Sequence, residues 1–203
     1  MGAVIQDNPL YSIMTICAGA WLFKMWLSDM RADPKPKGAF PGAFPAAPRT
    51  LAIAVAGALA LLAFHTFSEI SAGLDSKQSS VTPWALPVWI SAAFVEELIF
   101  RGYLVLENRG RAALVAGIVA CSAAFALMHP YLWDYAPEVG FSLSFTASGV
   151  MGTVSVFELS LWLYAVRFLP FNPSRSLLPC VAAHAAYNCG VFAVKYAQGF
   201  VAF

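Results

Sequence analysis

The stretch FVEELIFRGY, residues 94–103, places two adjacent carboxylates and an arginine inside a run of sequence that is otherwise apolar. The 203-residue chain around it is 60% hydrophobic and only 11% charged, against about 25% charged residues in an average soluble domain. Its mean hydropathy is +0.68. Ionisable side chains at membrane depth are costly unless they are paired or line a polar cavity. The organisation of the chain therefore depends on which partners Glu96, Glu97 and Arg101 find.

The composition predicts an all-α polytopic membrane protein with about six transmembrane helices. The apolar runs are continuous and approach the ~20 residues of a spanning helix, whereas a β-barrel would show alternating segments of ~10 residues. The fifth run is longer than one span needs, and we expect one tilted crossing there rather than a re-entrant piece followed by a span. The expected spans are about residues 9–28, 50–67, 84–106, 112–129, 141–168 and 176–199.

Basic residues are concentrated in the connections at about 29–49, 107–111 and 167–175. The positive-inside rule predicts that these connections are cytoplasmic, which puts both termini outside. We expect a multi-pass protein of the cell membrane, the inner or cytoplasmic membrane, with lipid as a partner. The net charge of +1 gives no indication of nucleic-acid binding.

The chain is expected to divide near residue 82. Residues 1–82 hold two transmembrane helices joined by a basic loop rich in proline and glycine, and they carry no candidate site. Residues 83–203 hold the last four spans and nearly all of the polar residues that lie within spans. We find no internal repeat.

Few polar side chains fall inside the expected spans. Glu97 and Arg101 stand four residues apart, so they share a helix face and can pair. Glu96 lies on an adjoining face without a local cationic partner. His184 and Asn188 are also four residues apart and can present an imidazole and a carboxamide in the same direction. The full set is His65, Glu96, Glu97, Arg101, His129, Glu158, His184 and Asn188.

These groups can meet at similar depth. At about 1.5 Å per residue, Glu96 lies roughly 18 Å and His129 roughly 27 Å from the turn between the third and fourth spans, and His184 lies roughly 12 Å into the last span. A carboxylate removed from bulk water is a stronger base and can activate a water molecule, with a histidine sharing the proton. An imidazole and an amide can donate to an oxyanion. Such a cluster suits hydrolysis.

At these residues the chain resembles the CAAX-protease and bacteriocin-processing (CPBP, ABI) intramembrane proteases. Three motifs of that family occur in order, each on its own apolar run: EExxxR at residues 96–101, FxxxH at 125–129 and HxxxN at 184–188. FxxxH and HxxxN are weak patterns individually, but the ordered set is specific. The resemblance covers about residues 84–194, the last four spans.

The resemblance implies an integral-membrane endopeptidase of glutamic type. Glu96 would activate water together with His129, and His184 and Asn188 would stabilise the tetrahedral intermediate. The expected substrate is a membrane-associated protein or peptide. The compact six-span layout favours a role in protein maturation or sorting over removal of a CAAX tail.

The remaining motif residues are expected to support this site. Glu97 and Arg101 would form a mutually satisfied pair, and Phe125 would pack against the histidine one turn later. We favour no cofactor, because the HExxH signature of zinc proteases is absent. Zinc is the alternative, since two histidines and one glutamate form a known catalytic set. Its ligands would be Glu96, His129 and His184.

Other interpretations stay open at this point. The same fold could serve as a non-catalytic membrane scaffold or a bacteriocin-immunity protein. The charged residues would then only orient helices, and His184 and Asn188 would form hydrogen bonds between helices. A small transporter or proton relay could use Glu158 together with the carboxylates of the opening stretch. We interpret His65 as structural, and Glu158 has no obvious partner in the sequence.

Overall fold

The computed structural model describes residues 9–203 and confirms an all-α membrane protein. Its only strands among the described residues form one two-stranded antiparallel hairpin, β1 (Trp133–Ala136) and β2 (Gly140–Leu143). The described residues form six α-helices: α1 (Pro9–Arg31), α2 (Pro48–Ser71), α3 (Ala85–Glu97), α4 (Arg111–Met128), α5 (Ala147–Phe168) and α6 (Leu178–Ala197).

Four of the six helices, α1, α2, α4 and α5, are long and apolar enough to cross a membrane. The chain is therefore a multi-pass membrane protein by the length and composition of its helices. Helix α3 has 13 residues of regular α-helix and continues directly into a wider π-helical turn, Leu98–Tyr103. That α3 and α6 also cross, and that the basic connections are cytoplasmic, stays a prediction.

The fifth span differs from its predicted bounds at its start. One continuous helix is confirmed, but residues 141–146 are not helical, because Gly140–Leu143 pairs as a strand with Trp133–Ala136. Thr146 caps the helix by accepting a hydrogen bond from the amide of Gly149 at 3.1 Å. This Thr cap and the hairpin explain the excess length of the apolar run without a re-entrant helix.

Helix α6 lies against three others: it packs on α2, α3 and α5, while α4 packs on α5 and α1 on α3. Close approach depends on small residues, as in other membrane bundles. A Cβ at Gly57 would lie 2.1 Å from the Trp162 ring. The largest apolar cluster joins α2, α5 and α6 and is built from Ala54, Ala58, Leu159, Leu163, Val166, Cys180, Ala183 and Tyr187.

The three basic connections meet at one end of the bundle, as the charge pattern predicted. The backbone N–H of Leu177 donates to Gly42 in the long loop at 3.0 Å, and the Ser174 hydroxyl donates to the Pro45 carbonyl at 3.0 Å. Arg175 pairs with Glu107 at 2.6 Å. These contacts fix where α6 begins, and hence the depth at which His184 enters the bundle.

Candidate active site

The π-helical turn at the end of α3 sets the direction of the EExxxR side chains. A π turn disrupts the regular ladder of helix hydrogen bonds, and such turns are frequent at functional sites. Two carbonyls of this turn bond to side chains from α5: the Tyr164 hydroxyl donates to Phe100 at 2.7 Å, and Arg167 Nε donates to Arg101 at 3.2 Å. Helix α5 therefore holds the turn in place.

Glu97 and Arg101 form the predicted pair inside the protein. Arg101 Nη1 donates to Glu97 Oε1 at 3.0 Å, and both side chains are 0% exposed. The guanidinium carbon lies 4.7 Å from the Phe125 ring centroid and 4.9 Å from that of Tyr164. The pairing and the two aromatic faces make a buried charge tolerable at this position.

His184 joins the pair, which the sequence did not predict. Its Nδ1 lies 2.9 Å from Glu97 Oε1, the same oxygen that accepts from Arg101. Its Nε2 lies 3.7 Å from Glu96 Oε2. One correction follows: Glu97 contacts a histidine as well as an arginine, so the Glu97–Arg101 pair is not closed on itself. The basic neighbour of Glu96 comes from α6, in line with the expectation that it has no cationic partner on its own helix.

Glu96 is the more accessible of the two carboxylates. Its side chain is 33% exposed, whereas that of Glu97 is fully buried. The more exposed carboxylate is thus the one expected to act as the base, and the buried one contacts the histidine.

His129 lies at the end of α4, where it is half-buried. Its Nδ1 lies 2.8 Å from the Phe125 carbonyl oxygen; because a carbonyl only accepts, Nδ1 carries the proton and Nε2 is left as an acceptor in the neutral ring. The Phe125 ring lies between the two motif histidines, with centroids 4.9 Å from His129 and 6.1 Å from His184. The packing expected for Phe125 is confirmed.

Asn188 points towards α3 like His184, one turn farther along α6. Its Nδ2 donates to the Trp89 carbonyl at 3.1 Å. One amide hydrogen is used in this bond, and the second is available to another acceptor. The contact lies two turns from Glu96 along α3.

The structure thus brings Glu96, Glu97, Arg101 and His184 into direct contact and links His129 to them through Phe125. No ion pair within 4.0 Å joins Glu96 to His129 among residues 9–203. Two residues outside the motifs also belong to the site, Ser122 on α4 and Ser160 on α5, both fully buried. A serine in an apolar helix gives no signal by itself.

A second polar cluster lies between α2, α5 and α6. His65 Nε2 lies 2.8 Å from Glu158 Oε2, and His65 Nδ1 lies 2.8 Å from the Tyr187 hydroxyl. Glu158, for which the sequence showed no obvious partner, therefore pairs with His65. These contacts tie three helices together, in line with the structural role expected of His65.

The alternative metal set is not assembled. Within the part of the chain that the structure describes, no group of three His, Cys, Asp or Glu side chains lies close enough to hold a metal ion. The three candidate ligands Glu96, His129 and His184 therefore do not fit a metal in this arrangement, and the chemistry below is derived without one.

Comparison with known families identifies a matching family model. Residues 78–190, more than half of the chain, match the family model described as "Type II CAAX prenyl endopeptidase Rce1-like". The matched region contains all three motifs and every residue of the candidate site. Neither the search of curated proteins nor that of solved structures found a match.

Proposed function

The chain belongs to the Rce1-like family of type II CAAX prenyl endopeptidases, and we propose that it hydrolyses a peptide bond of a membrane-associated protein with Glu96 as the general base. Family membership implies a protease. One observation carries the assignment to this site: His184 lies between Glu97 and Glu96, 2.9 Å and 3.7 Å away. Two motifs separated by more than 80 residues in sequence meet there.

In the proposed first step, Glu96 takes a proton from a water molecule while the water oxygen attacks the carbonyl carbon of the substrate. The exposure of Glu96 supports this role, because a base must reach its water. His129 shares the proton through Nε2, the nitrogen not engaged with the Phe125 carbonyl. The proton then passes to the leaving amine nitrogen as the C–N bond breaks.

The oxyanion that forms needs hydrogen-bond donors that are already in place. His184 supplies Nε2–H when its ring is protonated, since Nδ1–H is engaged by Glu97. Asn188 supplies the amide hydrogen that is not bonded to Trp89. Glu97 and Arg101 position these donors and do not themselves contact the substrate.

The proposed substrate is a membrane-associated protein or peptide cut during maturation or sorting, in the cell (inner or cytoplasmic) membrane. The family description makes a prenylated CAAX tail the other substrate to test. The same side chains would hydrolyse either substrate, so a substitution in the site cannot tell the two substrates apart. Only cleavage assays with one probe for each substrate class can do so.

The test uses purified protein in liposomes and two fluorogenic probes, a farnesylated peptide ending in a CAAX sequence and a single-span peptide with a cleavable hydrophobic tail. Replacing Glu96 by Gln should lower turnover of the cleaved probe by about 10²–10⁴-fold, because the general base is lost while the shape is kept. The matched control is Glu107→Gln, whose carboxylate pairs with Arg175 at the end of the bundle.

A Glu96→Gln variant that cleaves as fast as the parent protein would overturn the assignment. If single variants of Glu96, His129 and His184 all kept the biological phenotype, the non-catalytic scaffold or immunity role would be the better explanation.

A further inference from the structure

We propose that Ser160 is a positioning residue for the site, which acts with Ser122 to hold Arg101 and so sets the tautomer of His184. Neither serine belongs to the three motifs. The contacts run in an unbroken series from α4 through α5 and α3 to α6. The expected effect of Ser160 on the rate of hydrolysis rests on the proposed function, whereas its expected effect on the His184 tautomer does not.

The series begins with the two serines. Ser160 Oγ donates to Ser122 Oγ at 2.9 Å, which turns a lone pair of Ser160 towards Arg101. Arg101 Nη2 donates to that oxygen at 2.6 Å and to the Ser160 carbonyl at 3.2 Å. The shorter bond goes to the hydroxyl, so the hydroxyl rather than the backbone fixes this end of the guanidinium.

Arg101 has few other polar contacts to keep it in place. Its Nε is buried without a hydrogen-bond partner among the described residues, and Nη1 is committed to Glu97. The Phe125 and Tyr164 rings on its faces favour the cation without fixing its rotation in the plane. Loss of the Ser160 hydroxyl therefore frees the guanidinium to turn away from Glu97.

Glu97 depends in turn on Arg101. Its second oxygen, Oε2, is buried with no hydrogen-bond partner in the described part of the chain, so Oε1 alone anchors the carboxylate. That oxygen accepts from Arg101 and from His184 Nδ1. Because it accepts, the His184 proton lies on Nδ1, and Nε2 faces Glu96. A displaced Glu97 no longer selects this tautomer.

The chain offers an unusually direct test, since it contains only three histidines, His65, His129 and His184. The protein is labelled with ¹⁵N-histidine in lipid nanodiscs, and the ring nitrogens are observed by NMR. In the parent protein His184 should show a protonated Nδ1. At a pH at which the His184 ring is neutral, the ratio of its two tautomers in Ser160→Ala should move by about tenfold, while the His65 signals stay unchanged.

Two further variants distinguish a role of Ser160 in positioning Arg101 from a nonspecific disturbance of the fold. Ser160→Thr keeps the hydroxyl and should restore the parent His184 signals. Ser91→Ala removes a serine whose hydroxyl donates across helices to the Thr15 carbonyl at 2.9 Å without contacting Arg101, and it should leave His184 unchanged. Unaltered His184 signals in Ser160→Ala would overturn the proposal.

If the Ser160→Ala protein does not fold, as disturbed His65 signals would show, Ser122→Ala decides the question. It removes only the acceptor that orients the Ser160 hydroxyl, so a smaller shift at His184 in the same direction is expected, and no shift would overturn the proposal. With a cleavable probe, Ser160→Ala should lower kcat about tenfold and change KM by less than about twofold. Absence of cleavage in the parent protein would count against the proposed function, and the NMR result would still stand.

Discussion

Replacing Arg101 by Met tests how the bundle tolerates charge in its interior. Arg101 and Glu97 are both fully buried, and among the described residues the variant would leave the Glu97 carboxylate with His184 alone as a partner. Breaking a buried ion pair by removing one partner costs about 3–5 kcal/mol, because an uncompensated charge stays in a medium of low dielectric. The free energy of unfolding of Arg101→Met should fall by that amount.

The double variant Arg101→Met, Glu97→Gln should be more stable than either single variant. It removes both charges, so only the hydrogen bonds to Ser160 and His184 are lost or weakened, at about 1–3 kcal/mol. The measurement is denaturant unfolding in detergent micelles, followed by tryptophan fluorescence, as a double-mutant cycle. A double variant whose cost equals the sum of the two single costs would refute a coupled buried pair.

The control for this cycle is the ion pair at the end of the bundle. Arg175 and Glu107 lie 2.6 Å apart, but their side chains are 54% and 32% exposed. Exposed pairs contribute about 0–1 kcal/mol, so Arg175→Met should cost less than about 1 kcal/mol. If Arg101→Met and Arg175→Met lowered the free energy of unfolding equally, burial would not explain the strength of the Glu97–Arg101 pair.

Two other predictions concern the remaining polar groups. His65→Phe should lower the free energy of unfolding by about 1–3 kcal/mol, because Glu158 and the Tyr187 hydroxyl both lose their partner; an unchanged unfolding midpoint would contradict this. Cleavage should survive treatment with a divalent-metal chelator, because the alternative ligand set is not assembled; loss of activity that added zinc restores would contradict the metal-free mechanism.

Much of the fold could be predicted from the sequence because lipid imposes simple constraints on a chain. Continuous apolar runs of about 20 residues have few alternatives to helix at membrane depth, since every backbone polar group must be satisfied within the segment. The helices α2, α4 and α6 begin and end within about four residues of the expected spans. The hairpin was missed, because its second strand, Gly140–Leu143, resembles the start of a span.

The identity of the site residues was also available in the sequence. Ionisable groups at membrane depth are rare because burying them in lipid costs free energy, so Glu96, Glu97 and Arg101 could be identified from their position in an apolar run. The i, i+4 spacing also predicted the Glu97–Arg101 pair correctly. The roles assigned to Glu96, His129, His184 and Asn188 stay predictions that the family match supports in general terms only.

The partners of these residues were decided by the tertiary structure. His184 meets Glu97 across 87 positions of sequence, and His65 meets Glu158 across 93. Such contacts depend on the rotation and depth of each helix, which follow from packing against Gly57, from the π turn after Glu97 and from the loop that anchors the start of α6. A pattern within one helix predicts pairs such as Glu97–Arg101, which are four residues apart. Partners that come from another helix, such as His184 for Glu97 and His65 for Glu158, are determined only by the packed bundle.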